Sequence, residues 1–147
     1  MTPAALVATL GGIGRLRPAP GTWGSAVVLP LAWLGPLPCL VLAALLAVAG
    51  TWAVSRLPEA TQDPGWVVVD EGAGQCLVLA ALPALPGGLA GLGWVLLGFA
   101  LFRLFDVLKP WPVSWADRRS GAAWVMLDDL LAGALGALAV LLLRSFA

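Results

Sequence analysis

The sequence contains no histidine. That one absence removes Ser-His-Asp catalysis, imidazole metal ligation and histidine proton shuttling. Charge is scarce as well: charged residues make up 11% of the chain, against about 25% in an ordinary soluble domain. The formal net charge is zero, with no basic run and no aromatic–basic interleaving, so nothing points to nucleic acid. Cysteine appears only at Cys39 and Cys76. Both sit in apolar runs and read as buried thiols rather than as a disulfide framework or zinc cluster. Also missing are a Cys-x5-Arg loop, an Asp-x-Asp nucleophile motif, sequence repeats, low-complexity tails and linkers. The N-terminus lacks the small-residue cleavage pattern of a signal peptide, and none is expected.

What fills the chain instead is apolar. Hydrophobic residues make up 61% and the mean hydropathy is +0.96, so most of the surface is expected to face lipid. Five apolar stretches stand out: residues 25–34, 39–54, 76–85 (extendable back to Gly72), 89–105 and 125–143. A full membrane crossing needs about 20 residues. The second, fourth and fifth stretches approach that length, and the first and third are short. Pro30, Pro36 and Pro38 are expected to break the first region into a helical hairpin whose first arm is re-entrant or partly spanning. The expected fold is all-α: one polytopic membrane bundle over residues 1–147, with four to five hydrophobic helices. Abundant Gly and Ala suit close helix packing in lipid.

Following the chain back and forth collects the charges. Arg15, Arg17, Arg56, Arg103, Lys109, Arg118 and Arg119 fall on one side, and Arg144 on the other. All eight acidic residues join the crowded side, which the positive-inside rule makes cytoplasmic.

Four segments carry possible chemistry. In "VVVDEGAGQ", Asp70 and Glu71 lie inside apolar sequence, and a helix would place Glu71 and Gln75 on one face. Capping of a helix start competes for Asp70, but two carboxylates and an amide exceed what a cap requires. In "MLDDLLAG", Asp128 and Asp129 are expected in the first turn of the last helix, where capping competes again. In "FRLFDVLKPWP", Arg103 and Asp106 are three apart on one face, and Lys109 precedes the proline that must end the helix. An Arg103–Asp106 ion pair at the surface competes evenly with a functional role. The Gly- and Pro-rich stretch 11–25 carries Arg15, Arg17, Thr22 and Ser25. It lacks the ending of a phosphate loop, yet its amides and hydroxyls suit an anion nest.

Two acidic pairs delivered to one interface repel unless something neutralises them. Mg2+ fits an all-oxygen set and typically shares its shell with substrate phosphate. Basic residues beside it would hold phosphate oxygens. Intramembrane carboxylates also serve proton or ion relays, so a small ion or proton transporter is the rival reading. The helix middles, almost purely Leu, Ala, Val and Gly, give a relay little to work with.

Taken together, "PGTWGS", "VVVDEGAGQ", "FRLFDVLKPWPV" and "DRR…VMLDDLLAG" resemble the phosphatidylglycerophosphatase A family of bacterial membrane enzymes. The resemblance runs in order through nearly the whole chain. It implies Mg2+-dependent removal of the terminal phosphate of phosphatidylglycerophosphate, a phospholipid substrate in the bilayer, and a bacterial inner-membrane location. The family's blocks fall on Asp70, Glu71 and Gln75, on Arg103, Asp106 and Lys109, and on Asp128 and Asp129. Asp70, Glu71, Asp128 and Asp129 are the expected catalytic carboxylates and, with Asp106, the expected metal ligands. Gln75, Arg103 and Lys109, together with Arg15, Thr22 and Ser25 of the Gly-rich stretch, are expected to bind substrate. A homodimer is compatible with so small a membrane protein, though no residue demands it. Two departures stand out: the linking segment "SGAAW" (120–124) is short with one glycine, and Gly72 and Ala73 stand where bulkier apolar residues are expected.

Overall fold

The computed structural model describes residues 1–85 and 88–146. Among these there is no strand. The helices are α1 (Pro3–Ala8), α2 (Pro20–Val27), α3 (Pro36–Ser55), α4 (Val69–Ala81), α5 (Leu89–Leu108), α6 (Val113–Asp117) and α7 (Ala122–Arg144). Short 3-10 turns lie at Ile13–Arg15, Leu29–Leu34 and Pro58–Gln62. The expected turn at residues 83–88 includes Pro86 and Gly87, which lie outside the described residues.

Three helices are long and apolar enough to cross a membrane: α3, α5 and α7. This fits a membrane protein. The three correspond to the second, fourth and fifth apolar stretches; α4, from the third, has 13 residues and rises only about 20 Å, so the count of four to five hydrophobic helices is met by three of spanning length and shorter ones. The first apolar stretch divides differently from expectation. α2 stops at Val27, and Pro30 falls in the 3-10 turn that follows. Pro36 and Pro38 do not break a helix; they open α3, because the first turn has no intrahelical N–H bond for proline to remove.

α4 is the axis of the molecule. Ten of its thirteen residues are buried, with α2, α3, α5 and α7 packed around it. Small residues make that possible. A methyl group at Gly74 would overlap the Asp129 carbonyl of α7 and lie 2.6 Å from Phe102 Cε2 of α5. One at Gly133 would overlap the Gly74 carbonyl. The α4–α7 crossing is thus backbone on backbone, as small-residue faces allow in lipid. Gly72 differs: a methyl there would sit 2.9 Å from the end of a side chain, Leu10 Cδ1, and 3.8 Å from the nearest backbone atom, the Gly24 carbonyl oxygen. Cys39 and Cys76 are free and buried, as expected.

The ends of the bundle differ sharply. The Val68 amide donates to the Ala8 carbonyl at 2.9 Å, and the Gly121 amide to the Thr61 carbonyl at 3.0 Å. These bonds tie α1, the start of α4, the 58–62 turn and the start of α7 into one end. At the other end the Arg144 guanidinium donates to the Ala81 carbonyl, the last residue of α4, at 3.1 Å.

Gly74→Ala is expected to lower stability by about 1–3 kcal/mol through overpacking, read as a drop in the thermal unfolding midpoint in detergent. Gly93→Ala is the control, since a methyl there meets nothing within 4 Å; it should leave the midpoint unchanged or raise it.

Candidate active site

α4 begins at Val69 with no side-chain cap, so Asp70 and Glu71 lie in its first turn, beside unpaired backbone N–H groups. Asp70 Oδ1 accepts from the Glu71 amide at 3.1 Å. That bond satisfies one first-turn amide, although α4 has no side-chain N-cap. It does not account for Glu71, whose Oε2 is buried without a hydrogen-bond partner.

α7 differs from expectation. It starts at Ala122 rather than near Val125, so Asp128 and Asp129 lie in its second turn. The orphan amides of a helix belong to its first four residues, and capping is excluded as the reason for this pair. The two adjacent aspartates also part company. Asp129 turns inward and joins Asp70 and Glu71: one carboxylate oxygen from each lies within 4.8 Å of the others. Asp70 and Asp129 are both buried. Asp128 turns to a second group with Asp63 and Asp117, again with oxygens within 4.8 Å of one another.

The two groups differ in what neutralises them. Lys109 sits in the outer one, with Nζ 2.7 Å from Asp128 Oδ2 and 2.8 Å from Asp117 Oδ1. Burial alone would lower the Lys109 ammonium, but those two hydrogen bonds outweigh it and hold its pKa above the ordinary value. No cation is bonded into the inner group among the described residues. Its nearest basic residue, Arg103, pairs instead with Asp106. Three converging carboxylates, all oxygen donors and with one buried oxygen unpartnered, fit a hard divalent cation.

Other expected residues are placed as follows. Gly21, in the first turn of α2, presses on the inner group: a methyl there would overlap Glu71 Oε1 and lie 3.4 Å from Arg103 Nη1. Thr22 follows in the same turn, half-buried. Ser25 is buried with its hydroxyl donating to the Gly21 carbonyl at 2.7 Å, so it braces the turn. Gln75, one turn along α4 from Glu71, is 0% exposed, and neither its Oε1 nor its Nε2 has a partner. Arg15 is not brought to the acids. It lines a separate 390 Å3 cavity with Arg17, Glu59 and Trp66.

Asp63 and Asp117 were missed by sequence reasoning. Asp63 follows the 58–62 turn in "TQDPGW" and Asp117 ends the short α6 in "WADRRS"; in such polar sequence an aspartate carries no signal. Asp63 does adopt a left-handed backbone, φ 52°, as Asp and Asn can.

A family profile, Phosphatidylglycerophosphatase A, matches residues 6–144. The chain belongs to the phosphatidylglycerophosphatase A family. It is 37% identical over 140 residues to a Haemophilus influenzae protein named phosphatidylglycerophosphatase A, covering 90% of this chain and 83% of the relative. The Escherichia coli protein of the same name is 34% identical over 142 residues, covering 92% and 80%. A Bacteroides thetaiotaomicron protein, named provisionally a phosphatidylinositol-3-phosphatase, is 38% identical over 138 residues, covering 87% and 85%. No solved structure matches the chain. The family blocks and the inner carboxylates coincide: "VVVDEGAGQ" supplies Asp70 and Glu71, and "VMLDDLLAG" supplies Asp129.

Asp63 gives a stability prediction. Desolvation, reinforced by the Asp128 charge, pushes its carboxyl up to about 6 although part of the side chain is exposed. An unfolded aspartate titrates near 4. A raised folded pKa gives stability that is full below about pH 4 and lost as pH rises through about 6. Asp63→Asn should therefore gain stability over wild type at pH 8 but not at pH 4. The gain is about 1 kcal/mol or less, because solvent screens an exposed group. Thermal unfolding in metal-free detergent at the two pH values checks this.

Proposed function

We propose that this protein is a Mg2+-dependent lipid phosphomonoesterase that converts phosphatidylglycerophosphate to phosphatidylglycerol and phosphate. The observation that carries the reading is the inner carboxylate group, with Asp70 and Asp129 buried, Glu71 half-buried and no cation bonded to it among the described residues, at the charged end of a bundle of membrane-length helices. The names of the family's members supply the substrate class.

In this reading Asp70, Glu71 and Asp129 hold the metal. Asp106, paired with Arg103, stands behind them. The metal, when bound, supplies charge neutralisation for the phosphate and lowers the pKa of water. The chain's own residues do the rest. The cationic Arg103 and the positive end of the α2 dipole at Gly21 and Thr22 bind the non-bridging phosphate oxygens. The buried, unpartnered Gln75 amide orients a polar group at the floor of the site. Water oxygen attacks phosphorus as the ester P–O bond breaks. A site carboxylate takes the water proton and passes it on to the departing glycerol oxygen, so the alcohol leaves neutral and the carboxylate is restored. Lys109 does not face the phosphate here; with Asp117 and Asp128 it braces the loop from α5 to α7.

The membrane placement follows the charges. α3, α5 and α7 cross the bacterial inner membrane, α4 enters partway, and the carboxylates lie at the cytoplasmic face. The acyl chains stay in the bilayer beside the apolar helices. A transporter is not favoured, because the charges gather at one end and the middles of the long helices lack a polar relay.

Purified protein in detergent should release phosphate from phosphatidylglycerophosphate with Mg2+, and none with chelator. Asp129→Asn and Glu71→Gln should each cut the rate by more than about a hundredfold, since even outer-shell partners cost 10–100-fold. An unchanged unfolding midpoint would show that the variants fold. Phosphatidylinositol 3-phosphate as a parallel substrate tests headgroup choice. Folded wild-type protein that releases phosphate from neither lipid overturns the proposal.

A further inference from the structure

The loop between α5 and α7 carries a feature that the carboxylate site does not use. Arg119 is held between two indoles, with its guanidinium carbon 4.2 Å from the Trp115 ring centre and 4.9 Å from that of Trp124. The two rings meet edge to face, their centres 5.2 Å apart. Arg119 also donates to the Trp115 carbonyl. Its long side chain is thus ordered in advance, which removes much of the entropic cost of using it. Arg118 lies exposed beside it. Neither arginine has a carboxylate partner among the described residues, and the neighbouring acid, Asp117, is committed to Lys109. With Trp111, Trp115 and Ser114, the two arginines line an open 620 Å3 cavity.

The aromatic residues here face outward. Trp111 is 79% exposed and Trp115 42%. On the last turn of α5, Leu104, Val107 and Leu108 are exposed as well, so an apolar strip runs from the helix to the loop. Exposed indoles on a soluble surface are costly, but at the membrane–water boundary their apolar bodies and N–H groups are both satisfied. Two unpaired guanidinium groups at the same level complement a phosphate, not a zwitterionic surface with its own ammonium.

We infer that Trp111, Trp115, Arg118 and Arg119 form a binding site for the phosphodiester headgroup of an anionic phospholipid in the surrounding leaflet. The indoles lie against the glycerol and upper acyl region, and the arginines hold the phosphate. The inference takes from the proposed function only that α5 and α7 cross the membrane, not the reaction. Arg119 also lines the 340 Å3 cavity that contains Asp63, Asp117 and Asp128, so the lipid site adjoins the outer acidic group.

The test uses the whole protein in phosphatidylcholine bilayers containing a trace of spin-labelled lipid. Electron spin resonance then measures how strongly the protein retains each label. Wild type should retain labelled phosphatidylglycerol more than labelled phosphatidylcholine, and added salt should weaken the preference. Arg118→Gln and Arg119→Gln should each reduce it by roughly fivefold, and Arg118→Lys should keep it. Metal-free conditions separate this readout from catalysis, and the thermal midpoint reports folding. Should Arg119→Gln disturb the loop, Arg118→Gln alone still decides. Equal retention of the two labels by wild type would overturn the inference. So would a preference that survives Arg118→Gln, or one confined to a labelled phosphomonoester lipid.

Discussion

Three carboxylates whose oxygens converge within 4.8 Å are the constraint around which this bundle is built. At an effective dielectric near 20, two unit charges about 4 Å apart repel by about 4 kcal/mol. Three such pairs would approach the whole stability of a typical domain, about 5–15 kcal/mol. A fold that brings Asp70, Glu71 and Asp129 together must therefore be strongly held elsewhere and must meet a neutralising charge. The first requirement explains why α4 is so completely enclosed. The second makes the group one that could hold a hard cation, since Arg103 is already paired with Asp106.

Backbone contact supplies the holding. Apolar side chains give helices in lipid little reason to associate, because the lipid is as apolar as they are. What remains is close packing. The crossing at Gly74 and Gly133 lets α4 and α7 touch along their backbones, with the Asp129 carbonyl inside the reach of any side chain placed at 74. The same crossing sets the distance between Asp70 and Asp129, which lie one turn nearer the charged end of each helix. Gly21 does the equivalent for α2 and Glu71. Site geometry and fold stability thus rest on the same few small residues.

Much of this was legible in the sequence, for physical reasons. Three long apolar runs can only be helices of membrane length, and an alternating direction of travel gathers charges at one end whatever the details. The inner carboxylates were visible because charge inside an apolar run has to be explained. The outer group was not visible, because Asp63 and Asp117 lie in polar sequence between the long helices, where aspartate is ordinary. Helix starts were misplaced for a local reason. Val69 and Ala122 begin their helices with no capping side chain, so the usual boundary signal was missing, and Asp128 and Asp129 were put one turn too early. Arg15 sits in a Gly-rich segment whose composition suits an anion nest. The 3-10 turn at Ile13–Arg15 delivers it to a different cavity.

The divergence of Asp128 and Asp129 follows from helix geometry and has a structural use. Adjacent residues on an α-helix point about 100° apart, so a doubled acid cannot serve one site with both members. One faces the inner group; the other must find a different partner or remain an uncompensated charge near lipid. Lys109 is that partner. It sits just past the end of α5, in a left-handed conformation that ends the helix before Pro110, and it reaches both Asp128 and Asp117. Losing one member of a partly buried ion pair strands the other charge, which is costly. The Lys109–Asp128 pair thus gives the second acid a partner on its own side of α7, while the close crossing at Gly74 and Gly133 keeps Asp129 beside Asp70 and Glu71.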